Sequence, residues 1–180
     1  MDAMRLIEAN RRALARSREP ADIVVEVWQS QALAQAIGSH LAVAGPPELR
    51  GEALGLSEVG GRACGVLDAP RLGTEDIRAA RLTETGDAHQ VLLGLGRLLG
   101  EVGIALVGVA MGAEEGMYWQ CMEAIDAADE SRDRVLEMLR RLAVREEGLP
   151  GAESAAGSAG SAGAAGSAGA TGSAGSAGPS

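Results

Sequence analysis

The feature that most limits the possible folds is one long apolar segment rich in glycine. Residues 90–116 read QVLLGLGRLLGEVGIALVGVAMGAEEG, with six glycines between Gly94 and Gly112. A segment of this kind can be a membrane span, a nucleotide-binding loop or a buried helix of a bundle. The three structures make different demands on the charges inside the segment and on the sequence around it.

The first two structures fit poorly. A transmembrane helix needs about 20 consecutive apolar residues, but Arg97 and Glu101 interrupt the run, and its longest uncharged piece, 102–113, has 12 residues. A dinucleotide-binding loop needs a strand before its glycines, a helix after them and an acidic residue about 20 positions later. No alternating pattern of strands and helices surrounds Gly94 and Gly96.

Apolar residues on all sides and regularly spaced glycines favour the third structure, a central helix of a bundle. The glycines form two rows at three- and four-residue spacing: Gly96, Gly100 and Gly103, then Gly108, Gly112 and Gly116. Because glycine has no Cβ, such rows let a neighbouring helix approach closely. Arg97 and Glu101 are four residues apart and are expected to pair at one edge of the helix.

Proline, glycine and apolar periodicity divide the remaining sequence into further helices. The third predicted helix contains several glycines and is expected to break near Gly60, and the last is expected to kink or meet solvent at Ser131-Arg132. The sequence therefore predicts an all-α domain, a bundle of four or five helices within residues 1–147. The predicted helices cover about 2–18, 21–43, 47–67, 87–111 and 113–147, with a short helix opening at Thr74.

Residues 148–180 differ in kind from this domain. Between Gly157 and Gly178, glycine falls at every third position among serine and alanine. Collagen has the same glycine period but also abundant proline, and Pro179 is the only proline after Pro150. A segment with so little apolar surface is expected to be a disordered, low-complexity tail.

Charge and targeting signals limit the kinds of molecule that the protein is expected to bind and the cell compartment in which it is expected to occur. The formal net charge is −9 and every basic residue is arginine, so the chain is expected to avoid phosphate backbones and anionic lipid. The arginines of residues 1–18 are interpreted as a solvated helix face, with a nucleic-acid contact as the alternative. Residues 1–18 also lack the apolar core of a secretory signal. We therefore predict a cytoplasmic protein that binds neither nucleic acid nor membrane.

Few residues have the spacing that catalysis or metal binding requires. Neither His40 nor His89 follows a glutamate by three positions, which the helical carboxylate metal sites need. Cys64 and Cys121 fit no ligand spacing and are interpreted as core residues. The acidic run around Asp126 could perform acid–base chemistry only if burial raised one pKa, and a solvated face is the simpler interpretation. No cofactor, metal or catalytic residue is predicted.

The two tryptophans are the candidate contact residues. Trp119 lies beside Tyr118, and consecutive helix positions point about 100° apart, so both aromatic side chains cannot face one core. An exposed Trp119 would be an anchor for a partner, whereas a buried one would fill a groove in its own bundle. Trp28 has the same two interpretations.

Residues 28–53, WQSQALAQAIGSHLAVAGPPELRGEA, resemble small helical actinomycete proteins of unknown function. The lysine-free, alanine- and arginine-rich composition is similar too. The resemblance covers residues 1–147 and implies a helical domain, and it carries no catalytic motif.

These observations predict a non-enzymatic protein that acts through protein–protein contacts, either with an unidentified protein or as a homodimer. The predicted contact surface is a helix face that is rich in glycine or that bears Trp28 or Trp119. The alternative is a bundle that binds a small apolar ligand, with its cavity around Tyr118 and Met122.

Overall fold

The predicted all-α fold is confirmed. The computed structural model describes residues 1–67 and 72–148, and the predicted tail lies almost wholly outside them. No β-strand occurs among the described residues, where Asp2 and Glu84 form only an isolated bridge. The five α-helices are α1 (Ala3–Arg16), α2 (Pro20–Ala44), α3 (Arg50–Val66), α4 (Ala88–Met111) and α5 (Glu115–Gly148).

The helices begin and end where local chemistry requires it. The side chain of Asp2 caps α1 by accepting a hydrogen bond from the Met4 N–H at 2.7 Å, and Asp87 caps α4 through the Gln90 N–H at 2.8 Å. Pro20 occupies the first turn of α2, where its missing N–H has no cost. These signals are readable in the sequence, and the predicted helix bounds differ by only a few residues from the observed ones.

The closest helix contact joins α2 to α3 at two glycines. A Cβ added to Gly38 would lie 2.7 Å from both the Ala53 oxygen and the Ser57 nitrogen. A Cβ on Gly60 would lie 2.8 Å from the Gln35 nitrogen. The expected break at Gly60 is therefore wrong, because α3 runs unbroken through that position and uses it to approach α2.

Helix α4 packs one side against α1, α2 and α5, and it is not buried on all sides. Glu101 is also paired differently from the prediction, because it binds Arg11 of α1 at 3.0 Å rather than Arg97. The buried residues of α4 lie on one side of the helix: Val91, Leu92, Leu95, Leu98, Leu99, Val102, Leu106, Val109 and Ala110.

Helix α5 is continuous and is tied to α3 by ion pairs. Glu52 of α3 is mostly buried and accepts from Arg134 at 3.0 Å and Arg141 at 2.8 Å. The solvated patch expected at Ser131-Arg132 is found at Arg132, which is exposed. Ser131 is instead fully buried, and its hydroxyl donates to the Gln31 side chain at 3.5 Å.

Residues 72–87, which contain no α-helix, pack against α2. This connection contains two short 3₁₀ helices, Thr74–Asp76 and Arg78–Arg81, and the first begins where the sequence predicts one. The buried Gln29 side chain donates to the Asp76 carbonyl at 2.8 Å and accepts from the Arg78 N–H at 3.0 Å. One polar side chain of α2 thus satisfies two backbone groups of this connection.

Candidate contact surface

Trp119 lies exposed near the start of α5. Its side chain is 61 % exposed, and its ring stands edge-on to that of Tyr118 with the ring centroids 5.4 Å apart. This is the first of the two positions anticipated for Trp119, an exposed one rather than a groove within its own bundle. A large amphipathic ring in this position can insert into a partner with little loss of rotamer freedom.

Trp28 serves its own bundle instead. It is half-buried against the core, and its indole Nε1 donates to the Cys64 carbonyl at 3.2 Å. The Cys64 thiol in turn lies 3.7 Å from the Trp28 carbonyl oxygen. Because the polar group of Trp28 already has an internal partner, the structure places this residue in the packing of α2 against α3.

An exposed apolar stripe runs along the C-terminal half of α4. Met111 is 85 % exposed, Ile104 77 % and Val107 48 %, large fractions for side chains of this size. We define the α4 stripe as these residues together with the glycines that precede or separate them on the same helix face, at the i, i+3, i+4 and i+7 spacing. Its members are Gly100, Gly103, Ile104, Val107, Gly108 and Met111.

The glycines of the stripe face open space. An added Cβ on Gly100, Gly103 or Gly108 would meet no atom within 4 Å among the described residues. The expectation that these glycines let a helix of the same bundle approach is therefore wrong. They leave shallow depressions between protruding apolar side chains on the outer surface of α4.

The aromatic pair lies at the end of the α4–α5 hairpin where the α4 stripe ends. The two helices are antiparallel and joined by a short turn, and a Cβ on Gly96 would lie 3.4 Å from Val135 Cγ1. Counting outward from this contact brings Tyr118 level with the turn just beyond Met111. We call the α4 stripe together with Tyr118 and Trp119 the hairpin face.

Charged residues surround the hairpin face but are absent from the α4 stripe. Arg97 lies before the stripe and Glu114 after it, both exposed. Neither takes part in an ion pair among the residues that the structure describes. Asp126 and Asp129 are exposed on α5. One end of the stripe is therefore basic, and the opposite end is acidic.

Two of the five arginines near the N-terminus, Arg11 and Arg12, pair with carboxylates among the described residues. Arg11 pairs with Glu101, and this hydrogen bond raises the pKa of the Arg11 guanidinium above its ordinary value. Arg12 pairs with Glu8 at 2.9 Å, the pairing expected from their four-residue spacing. This arrangement agrees with a solvated, charge-paired helix face more than with a phosphate-binding one.

A separate cavity of about 420 Å³ lies on another side of the bundle, next to Trp28. Its walls include Ala32, Ala36, Cys64 and Ile77. Burial raises the pKa of the Cys64 thiol to about 11, so at neutral pH it is a neutral wall atom rather than a nucleophile. This cavity does not include Tyr118 or Met122, the residues around which the sequence predicted a ligand site.

The remaining candidates for chemistry lie apart from these surfaces. His40 and His89 are half-buried, and within the described residues no group of three or more His, Cys, Asp or Glu side chains is placed to hold a metal ion. Asp126, Asp129 and Asp133 are exposed, as expected for the solvated face of α5.

Among the described residues, α4 is the one helix whose length and composition would allow it to cross a membrane. In its most apolar 18-residue window, 39 % is buried inside the bundle. Length and composition are weak evidence, because core helices of soluble proteins have the same properties. The partial burial nevertheless agrees with a helix that has one packed side and one uncovered side.

Five packed helices with an uncovered hairpin face define a small helical domain. The chain belongs to the family of unknown function DUF6099, whose sequence model matches residues 1–141. The resemblance to a family of unknown function is thus confirmed, and the actinomycete origin stays a prediction. No curated protein and no solved structure matches the chain.

Sequence reasoning missed the three residues that dominate the hairpin face. Ile104, Val107 and Met111 read as core because residues 102–111 of α4 contain no polar side chain, so periodicity could not separate the two sides of this part of the helix. The glycines gave the only available signal. A small residue at every third or fourth position marks one side of the helix, although not whether that side is covered.

Proposed function

We propose that this chain is a non-enzymatic helical protein that works through protein–protein contact, and that the hairpin face makes the contact. The supporting observation is the exposure of Ile104 and Met111 within an uncharged stripe of α4. Large apolar side chains left exposed at successive turns of one helix form a contiguous apolar patch, and such patches on soluble proteins mark interaction sites.

Charge supports a protein partner and a cytoplasmic location over a membrane surface. Helices that lie on membranes carry lysine and arginine beside their apolar face. Here Glu114, Glu115, Asp126 and Asp129 lie near the hairpin face, and the whole chain carries a net charge of −9. Anionic lipid would be repelled at these positions.

Trp119 is the proposed anchor at the edge of this face. Tryptophan is enriched among the residues that dominate binding energy. Its edge-on contact with Tyr118 restrains the ring, and a side chain restrained before binding loses less entropy on association.

The proposal is tested by capture of the full chain from its own cells with quantitative mass spectrometry. Ile104→Glu places a charge in the centre of the stripe, whereas Leu54→Glu makes the same change on α3 at a residue that is 51 % exposed and lies outside the face. We expect proteins, including untagged copies of the chain, that are retained by the wild type and by Leu54→Glu and are lost with Ile104→Glu. Equal retention by all three chains would contradict the proposal.

The second candidate function is the binding of a small apolar ligand in the cavity beside Trp28. The volume of about 420 Å³ is within the range of ligand sites, and the walls are mostly alanine, isoleucine and indole. Native mass spectrometry of freshly purified protein tests this candidate. A co-purifying small mass that is lost in Ala36→Trp, which fills the cavity, would favour ligand binding.

A further inference from the structure

We infer that the partner of the hairpin face is a second copy of this chain, docked antiparallel along α4 with a two-fold axis midway between Ile104 and Val107. This inference rests on the proposed function and adds the identity of the partner and the register of the contact. A two-fold contact must be complementary to itself, because each residue meets its counterpart across the axis. The α4 stripe meets this condition at every position.

When two copies of α4 lie antiparallel, protruding apolar residues of one stripe meet the glycine depressions of the other. Met111 follows Val107 by four residues, and Gly100 precedes Ile104 by four. The axis therefore sets each protruding Met111 over the open Gly100 of the other copy. Ile104 faces Val107 in the same way, and Gly103 faces Gly108. Helices can approach closely where small residues face each other.

The charges beyond the two ends of the stripe agree with the same antiparallel docking. Arg97 lies on α4 before the stripe, and Glu114 lies in the turn that follows the end of α4 at Met111. Reversal brings the Arg97 end of one copy to the Glu114 end of the other at both ends of the contact. A parallel arrangement would instead set each side chain against its own counterpart, and like charges across an interface are repulsive. Charge thus selects the antiparallel register.

The surrounding acids locate the centre of the contact. Asp126 and Asp129 are exposed on α5 and would repel their counterparts if the two α5 helices met across the axis. The contact is therefore centred on α4, with Trp119 at its edge.

Sedimentation equilibrium of the full chain tests the inference by exchanging charges. We expect a dimer that is weakened about tenfold by Arg97→Glu and by Glu114→Arg, because each change replaces two attractive pairs with two repulsive ones. The double variant Arg97→Glu/Glu114→Arg restores the pairs and should return the dissociation constant to near the wild-type value. Arg18→Glu makes the same charge change at an exposed position outside the helices and should have little effect.

Each contrary result has a distinct meaning. If Ile104→Glu abolishes the dimer but the double charge variant remains weak, the face stands and the antiparallel register is overturned. If the dimer persists in Ile104→Glu, both the register and the proposed contact face are overturned. A wild-type chain that stays monomeric at about 100 µM overturns the second copy as partner. Binding of that monomer to vesicles of phosphatidylcholine and phosphatidylglycerol would assign the face to a membrane instead.

Discussion

Replacement of Gly38 by alanine should destabilise the domain although it improves the helix. An alanine in a helix interior is favoured over glycine by about 0.5–1 kcal/mol. At Gly38, however, the added methyl would lie 2.7 Å from two backbone atoms of α3, which cannot rotate away. Overpacking of this kind costs about 1–3 kcal/mol. We expect a net loss of about 1–2 kcal/mol in the free energy of unfolding.

Urea denaturation followed by helical circular dichroism measures this loss, and Gly51→Ala is the matched control. Gly51 is also helical, but a Cβ there would meet no atom within 4 Å among the described residues. The control should be as stable as the wild type or more stable by up to about 1 kcal/mol. The free energies of unfolding of the two variants should therefore differ from each other by about 2 kcal/mol, with Gly38→Ala the less stable. Equal stability of the two would refute the close approach of α2 and α3 on which the fold is built.

Three other properties of the domain give further predictions. Glu52→Gln should lower the free energy of unfolding by about 1–2 kcal/mol in thermal or chemical denaturation, because two α5 arginines lose their shared carboxylate; an unchanged midpoint would contradict this. Gln29→Ala should speed amide hydrogen exchange in residues 72–82 but not in α4, and equal protection of both would show that Gln29 does not hold the connection. Native Cys64 should react with iodoacetamide roughly a hundredfold more slowly at pH 8 than an ordinary thiol, since its pKa is about 11 rather than 9.0. The rate should rise about tenfold per pH unit towards pH 11, and a rate already constant near pH 9 would contradict the raised pKa.

Helix positions could be predicted well because their signals are local. Pro20 starts α2, Gly45 and Pro46 end it, and Asp87 caps α4. Each of these residues acts on backbone within one turn of itself, so the sequence alone contains the cause. The ion pair of Glu137 with Arg141, four residues apart on α5, is local in the same way and measures 3.2 Å.

Contacts between distant segments could not be predicted in this way. Glu101 has Arg97 one turn away but binds Arg11 of α1, whose Nε and Nη2 both donate to the carboxylate. Ser131 looked like an interruption of the apolar face of α5, yet burial beside Gln31 gives its hydroxyl a partner. Both outcomes depend on which helices become neighbours, which local spacing does not specify.

The candidate surface was only half predictable for the same reason. Trp119 was recognised as a candidate because two consecutive aromatic side chains on a helix point about 100° apart and cannot both face one core. The structure shows that Trp119 is exposed. The α4 stripe was recognised by its glycines but assigned to the interior. Where both sides of a helix are apolar, the positions of the neighbouring helices decide which side stays uncovered. The neighbours of α4 do not cover Ile104 and Met111.

Sedimentation velocity of the full chain over a range of concentrations tests the central claim most directly. Met111→Glu and Val43→Glu introduce the same charge at residues that are 85 % and 83 % exposed, one inside the hairpin face and one outside it. We predict that the wild type and Val43→Glu associate as concentration rises, while Met111→Glu stays monomeric. Association of Met111→Glu at the wild-type strength would contradict the account, because the most exposed residue of the proposed contact would then have no part in it.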